Sequence, residues 1–481
     1  MLGSANIADI KLALSSSIPA LLMPTWTPSA LSNRMKFVGI IMLALVVRGG
    51  VVLSNLDQFD QDPDAYRVIA ETLSKTGVFG LPAASAPGSP AVESAKPTAF
   101  RPPLYPYLLS WLTVDHHVND LLVGLLHVGL GVLTAVCTLS IASRLIDGGR
   151  FGNASIFAAV LVIIDPILVQ QSTLVMTETI AATLATLVVW FWVCRWKPSP
   201  TLANAVMLAV LLALTYLCRP TFLVWAVLML PAILFSTKIC WTRRVACTVA
   251  AAMIMGLAVG LWTVRNWNAV GHPVWATSHG GYTLLLANNP SFYDYLRHGK
   301  FAEAWDAEPF LDAYAHRFQG DPTSEAFWQT DWSNPAQTLP EPRPLNEHQD
   351  DQWSYQAAKA TIARQPSMFV WSCFVRLGRL YSPMPHHVPG RSWPPIVIVT
   401  LYYVAFWIAT LVGLFRLRRV VLTPPWWAII TLVITLSAIH SIYWSNLRMR
   451  SPMIPSLAVL AAAGLVRPRI IQPFLVDQDA D

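Results

Sequence analysis

The sequence predicts an all-α polytopic membrane protein, with about ten transmembrane helices and two long outer loops. Three observations carry this. Of 481 residues, 54% are hydrophobic and only 12% are charged, about half the charge of an ordinary soluble domain. The apolar residues gather into runs of bilayer length. The basic residues fall in alternate short loops between those runs, the pattern that sets membrane orientation.

The apolar windows place spans at about 37–55, 121–146, 154–170, 176–196, 202–217, 221–235 and 245–264, then at 396–415, 426–442 and 453–466. Several are short against the ~20 residues that cross comfortably. Arg144 and Arg150, Arg195 and Lys197, Lys238 with Arg243 and Arg244, and Arg416 with Arg418 and Arg419 lie on one face. Arg34, Lys36, Arg467 and Arg469 join them, so this face is expected to be cytoplasmic. The expected organisation is a cytoplasmic leader over 1–36, and an N-terminal membrane module over 37–264 with an outer loop at 57–120. An extracytoplasmic loop over 265–394, C-terminal helices over 395–466 and a cytoplasmic tail over 467–481 complete it. The implied location is the plasma or inner membrane, multi-pass, with both termini cytoplasmic and membrane lipid as surroundings. Leu104–Leu112 is too short to cross and reads as an interfacial or re-entrant helix.

The net charge of +6 is spread over loops between spans and is no nucleic-acid signature. The 20 tryptophans suit membrane interfaces, and the 36 prolines are tolerated in broken or buried spans. Six cysteines make no metal-type pair and suggest no disulfide framework. No phosphate-cradling glycine loop is present. Arg48 is a charge well inside the first span, which is costly unless the bundle buries it.

The outer face is expected to collect Arg101, Asp165, Glu178, Arg219, Arg265, His440, Arg448 and Arg450, together with the most polar stretch. There Asp57, Asp60, Asp62 and Asp64 follow directly on the first span. In the second loop, residues 351–381 carry helical spacing interrupted at Pro366, which predicts two helices near the membrane surface. Gly280-Gly281 and Asn288-Asn289-Pro290 read as turn chemistry. Glu178 after Thr177 reads equally as a helix-start residue and as a functional one. His440 reads as a packing residue.

The run Asp62-Pro63-Asp64-Ala65-Tyr66, followed by Arg101-Pro102-Pro103-Leu104-Tyr105-Pro106, resembles the first outer loop of the GT-C membrane glycosyltransferases. The branch most similar is that of the protein O-mannosyltransferases and aminoarabinose transferases. Asp165-Pro166, Thr177-Glu178-Thr179, Arg219-Pro220-Thr221, Arg265-Asn266, Gly280-Gly281 and Arg448-Met449-Arg450-Ser451-Pro452 agree in order. The resemblance covers about 37–466. It implies a sugar donor on a polyprenyl phosphate, and an acceptor that is a glycan, a lipid or a protein. It also implies a catalytic aspartate in the first outer loop, four residues before the tyrosine. That is Asp62, with Asp64 as the alternative; here Pro63 separates two carboxylates that relatives carry side by side.

The chemistry suits these residues. A carboxylate within reach of an acceptor hydroxyl can take its proton as the new bond forms. Direct displacement with one base inverts the anomeric centre. The departing phosphate calls for arginine, and Arg101, Arg219, Arg265, Arg448 and Arg450 are the candidates, with Tyr66 and Glu178 beside them. The expected enzyme is an inverting hexosyl- or pentosyltransferase without a cofactor. A divalent metal held by the paired aspartates is the less favoured variant. The rival readings are a transporter or lipid flippase, and an inactive partner subunit. Transporters favour midplane charges and internal repeats, and the chain shows no repeat.

Overall fold

The computed structural model describes residues 28–83, 94–236, 238–299, 303–332, 346–387 and 392–467. The leader up to residue 27, the tail from residue 468 and Arg469 lie outside the described residues.

Each of the ten apolar windows is helical. The helices are Pro28–Leu53, Asp120–Ile146, Asn153–Ile164, Glu178–Phe191, Leu202–Cys218, Phe222–Leu234, Trp241–Val270, Trp393–Leu417, Trp427–Ile442 and Ile454–Leu465. Six spans among the described residues are long and apolar enough to cross a membrane, and Asn153–Ile164, Leu202–Cys218 and Phe222–Leu234 are shorter apolar helices. The third window is not continuous. Its helix stops at Asp165, Pro166 opens a second helix to Gln171, and the Asp165 carboxylate caps that helix by accepting from the Leu168 amide at 2.9 Å. Proline at the first helical position has no amide to satisfy, so the break is stable where it stands.

The Glu178–Trp196 span is the most buried of the six and forms the centre of the bundle. Trp192, Trp196, Trp225 and Trp426 are wholly buried around it. These tryptophans are therefore core residues, in contrast to the interfacial role expected from composition. Trp192 and Trp225 place their indole N–H groups on the carbonyls of Pro424 and Ala428, which satisfies the one polar atom each ring takes inside.

Trp393–Leu417 and Ile454–Leu465 approach backbone to backbone at Gly413 and Gly464. A Cβ at Gly413 would lie 1.8 Å from the Leu460 carbonyl oxygen, and one at Gly464 would lie 1.9 Å from that of Ala409. Small residues that let helix backbones touch are the usual device for association in lipid. All six cysteines are free thiols.

Outside the bundle, Leu104–Ser110 is the short helix expected in the first loop, and Glu347–Arg364 and Pro366–Tyr381 are the two expected in the second. The first loop departs from the all-α expectation in two small hairpins, Gly80–Pro82 with Ala95–Pro97 and Thr113–Val114 with His117–Val118. Three-residue and two-residue strands are too short to show a period of two, so periodicity could not reveal them. Gly280-Gly281 opens the helix Gly280–Ala287 instead of making a turn. Its backbone presses on Glu347–Arg364, where a Cβ at Gly281 would meet the Asp351 carbonyl oxygen at 2.0 Å. Leu284, Leu285, Phe310, Ala357 and Ala358 form a separate apolar core under this contact.

Candidate active site

The first outer loop is folded around one arginine. Arg67, in the helix Tyr66–Thr76, donates to the carbonyls of Phe59 and Val118 and to the Asp120 and Glu71 carboxylates. It thereby ties the beginning of the loop at Phe59, its end at Val118 and the start of the second span at Asp120. Sequence reading passed over Arg67; its spacing of four from Glu71 is the signal that marked it.

On that frame the two leading aspartates part. The Asp64 carboxylate is taken by Arg101 Nη2 at 2.7 Å, and Arg101 Nε donates to the Asp64 carbonyl at 2.6 Å. Asp62 instead sits over the open end of the Tyr66–Thr76 helix, where Oδ2 accepts from the Val68 amide at 2.9 Å. Its Oδ1 is buried and has no hydrogen-bond partner. Burial pushes the Asp62 carboxyl above its usual range, opposed by amides of the helix start and assisted by the neighbouring Asp64 charge. Ala65, between them, has φ of +59°. That left-handed conformation costs a residue with a Cβ about 1–2 kcal/mol, and it turns the chain so that Asp62 faces the helix and Asp64 faces Arg101.

Beside this pair lies a second charged group. Glu178 is 1% exposed, and its Oε1 meets Arg219 Nη2 at 2.8 Å and Arg448 Nε at 3.6 Å. Its Oε2 is buried without a partner. Arg219 Nε donates to the Thr177 hydroxyl at 2.8 Å. Thr177 therefore serves Arg219 and makes no side-chain cap of its own, while Glu178 stands in the first turn of its helix, where the helix-start reading has it. Tyr66 joins the two groups. The charges that act on its hydroxyl are those of Arg101, Asp64, Arg219 and Glu178, and burial raises it to about 12. Arg101 also lies over the Tyr66 ring at 5.4 Å and over Phe100 at 4.4 Å. From Phe100 the rings of His279 and Tyr282 continue outward at 4.7 and 4.9 Å. Burial, with Arg101 nearby, holds the His279 imidazole down at about 3, neutral at ordinary pH.

The structure thus gathers Asp62, Asp64, Tyr66, Arg101, Glu178, Arg219 and Arg448. It sets Arg265 and Arg450 apart. Arg265 donates to the carbonyls of Thr98 and Phe79 and stacks on Phe79 and Trp262, bracing the first hairpin. Arg450 is fully buried, donates to the carbonyls of Leu380 and Ser382, and lies 3.9 Å over the Tyr403 ring. Tyr403 in turn donates to Asp165, which is wholly buried. Asp165 is thus enclosed within the bundle, at the break between two helices. Arg48 is buried too and donates to the Val162 carbonyl at 2.8 Å. His440 donates from Nδ1 to the Trp444 carbonyl at 3.2 Å and is buried.

Among the described residues no group of three or more His, Cys, Asp or Glu side chains could hold a metal ion. Asp64 is already neutralised by Arg101, so the two aspartates do not fit the paired-carboxylate site considered from the sequence.

No family model and no curated protein matches this sequence. Solved structures do. The chain is similar to the archaeal oligosaccharyltransferase AglB of Archaeoglobus fulgidus, solved with an inhibitory peptide and a dolichol-phosphate, at 13% identity and a TM-score of 0.47 over 90% of this chain and 50% of that one. It is similar to ArnT of Cupriavidus metallidurans bound to undecaprenyl phosphate, at 14% identity and a TM-score of 0.36 over 89% and 77%. It is also similar to the arabinosyltransferase EmbB of Mycobacterium smegmatis, at 15% and 0.36 over 95% and 43%. The chain spans half the length of the AglB chain it matches.

Proposed function

We propose that the protein is an inverting GT-C-type glycosyltransferase. It moves a sugar from a polyprenyl phosphate to an acceptor hydroxyl at the extracytoplasmic face of the membrane. The observation that carries the reading is the state of Asp62. One oxygen is engaged by the helix start, the other is buried and unpartnered, and the neighbouring carboxylate is neutralised by Arg101. The motifs that resemble the family's first outer loop are the ones that build this arrangement.

In this reading Asp62 accepts the proton of the acceptor hydroxyl as its oxygen attacks the anomeric carbon. The bond from that carbon to the phosphate oxygen breaks, and the polyprenyl phosphate leaves with the electron pair. The added negative charge falls to Arg448 and Arg219, which Glu178 holds in place. Arg101 keeps Asp64 from competing for the proton and lowers the repulsion between the two carboxylates. Exposed apolar side chains on the outer sides of Pro28–Leu53, Trp241–Val270 and Trp393–Leu417 leave room for lipid along the bundle. The acceptor is a glycan, lipid or protein hydroxyl.

The test is transfer from a panel of radiolabelled polyprenyl-phosphate sugars in membranes, comparing the wild type with Asp62→Asn and Asp64→Asn. Label entering an acceptor, and lost with Asp62→Asn, supports the reading. No transfer from any donor, or equal transfer by all three proteins, overturns it and moves a transporter or an inactive subunit ahead.

A further inference from the structure

Glu347, the first residue of the Glu347–Arg364 helix, reaches out of the second loop into the first. Its Oε2 accepts from the Thr98 hydroxyl at 2.5 Å and its Oε1 from the Ala99 amide at 2.8 Å. The Ser278 hydroxyl donates to the same Oε1, and the Ser278 amide donates to the Ala99 carbonyl at 3.0 Å. Thr98 and Ala99 are 1% and 0% exposed, so these donors have no water to turn to. Thr98 is gripped from the other side as well, because its carbonyl accepts from Arg265. Two residues beyond Ala99 stands Arg101, which holds Asp64.

We infer that Glu347 is a positioning residue for the active site: by fixing Thr98 and Ala99 it sets Arg101 on Asp64, so that Asp62 is left as the acting base only when the second loop is docked. Three donors on one carboxylate make a charge-assisted contact stronger than any of the neutral bonds around it. The Glu347–Arg364 helix has other attachments, among them Asp350 on Arg317 and Asp351 on the Gly281 amide, and none of these touches 98–101. Glu347 therefore links this helix to the segment that carries Arg101. The catalytic part of the inference rests on the transfer reading above; the latch itself does not.

The test uses the full chain in detergent or membranes, with Glu347→Ala, Glu347→Gln and, as a control on the same helical turn, Asp350→Asn. Backbone hydrogen exchange over 94–101 and transfer kinetics are read together. Glu347→Ala is expected to speed exchange at 94–101 about tenfold and to lower kcat by up to about tenfold, as far as loss of the Arg101–Asp64 pair itself would, with KM for the lipid donor unchanged. Glu347→Gln keeps the oxygen that serves Ala99 and Ser278 and gives intermediate values. Asp350→Asn leaves 94–101 as in the wild type. Should Glu347→Ala not fold, Glu347→Gln against Asp350→Asn decides. Exchange at 94–101 unchanged in both Glu347 variants, or equally accelerated in Asp350→Asn, overturns the inference. An absence of transfer in the wild type removes the enzymatic reading, and the exchange data then still judge the latch.

Discussion

Arg101 binds Asp64 twice, once at the carboxylate and once at the backbone carbonyl. A residue held at carboxylate and backbone by one guanidinium loses its freedom to meet a substrate proton, and Asp62 is distinguished from it on that ground. The two aspartates are equivalent in composition and nearly so in position; their partners separate them.

The first expectation follows directly. Asp62→Asn keeps an oxygen for the Val68 amide and so keeps the helix start, but it cannot take a proton. Transfer should fall by about 10²- to 10⁴-fold with little change in thermal stability. Asp64→Asn should leave transfer within about tenfold of the wild type while loosening Arg101. The membrane assay with labelled donors reads both, and a larger loss in Asp64→Asn than in Asp62→Asn would exchange their roles.

The raised Asp62 carboxyl gives a pH dependence of known sign. A base works when deprotonated, so kcat/KM should climb with pH through a value above the ordinary aspartate figure of about 3.9. In stability the sign is opposite. A carboxyl raised by folding contributes stability below its unfolded pKa, and this is lost as pH rises through the folded value. Profiles of rate and of Tm against pH, taken side by side, should move in contrary directions across that window. A rate profile that ends at the ordinary aspartate value would rule the shift out.

Glu178 sits between two arginines, and removing it should harm folding more than removing either partner's tip. Glu178→Ala should cost about 2–4 kcal/mol, because two partly buried guanidinium groups would lose their counter-charge. Arg448 is the more exposed partner, so Arg448→Ala should cost little stability and appear chiefly as a loss of transfer. Thermal unfolding in detergent, set against the transfer rate, separates the two effects.

Ala65 holds a positive φ between the two aspartates. Ala65→Gly should relieve the clash at the Cβ, and the greater freedom of glycine in the unfolded chain offsets part of that gain. A net stabilisation of roughly 0.5–1 kcal/mol is expected. A fall in Tm would mean that the Ala65 methyl is needed for packing.

Gly413→Ala should destabilise by about 1–3 kcal/mol, since the added methyl must push the Leu460 carbonyl aside. Gly39→Ala, at a helical glycine with nothing within 4 Å of a built Cβ, is the comparison that should cost nothing. Equal Tm values for the two would deny the close approach.

Much of this was legible in the chain. The ten apolar windows, the short helix at Leu104 and the two helices around Pro366 all carry strong local periodicity or a proline stop, and each stands where it was expected. The charged landmarks were legible as residues but not as partners. That Arg265 braces a hairpin and Arg450 faces Tyr403 depends on contacts across more than a hundred residues or between separate helices, and no local pattern encodes them. The burial of Asp165 was hidden for a related reason. A carboxylate at a break between apolar windows looks like a loop residue, and only the hydroxyl of Tyr403, from a helix far along the chain, shows it to be interior. The hairpins were too short to announce themselves.

Arg67 pins the first outer loop at several points. Its guanidinium is shared by Phe59, Val118, Asp120 and Glu71, so it stands as the head of a tripod whose legs are separate stretches of chain. The segment carrying Asp62 lies between two of those feet. Jostling of any one leg would be passed to the others through a single cation, so that the first outer loop would tilt as a plate instead of rippling as a string.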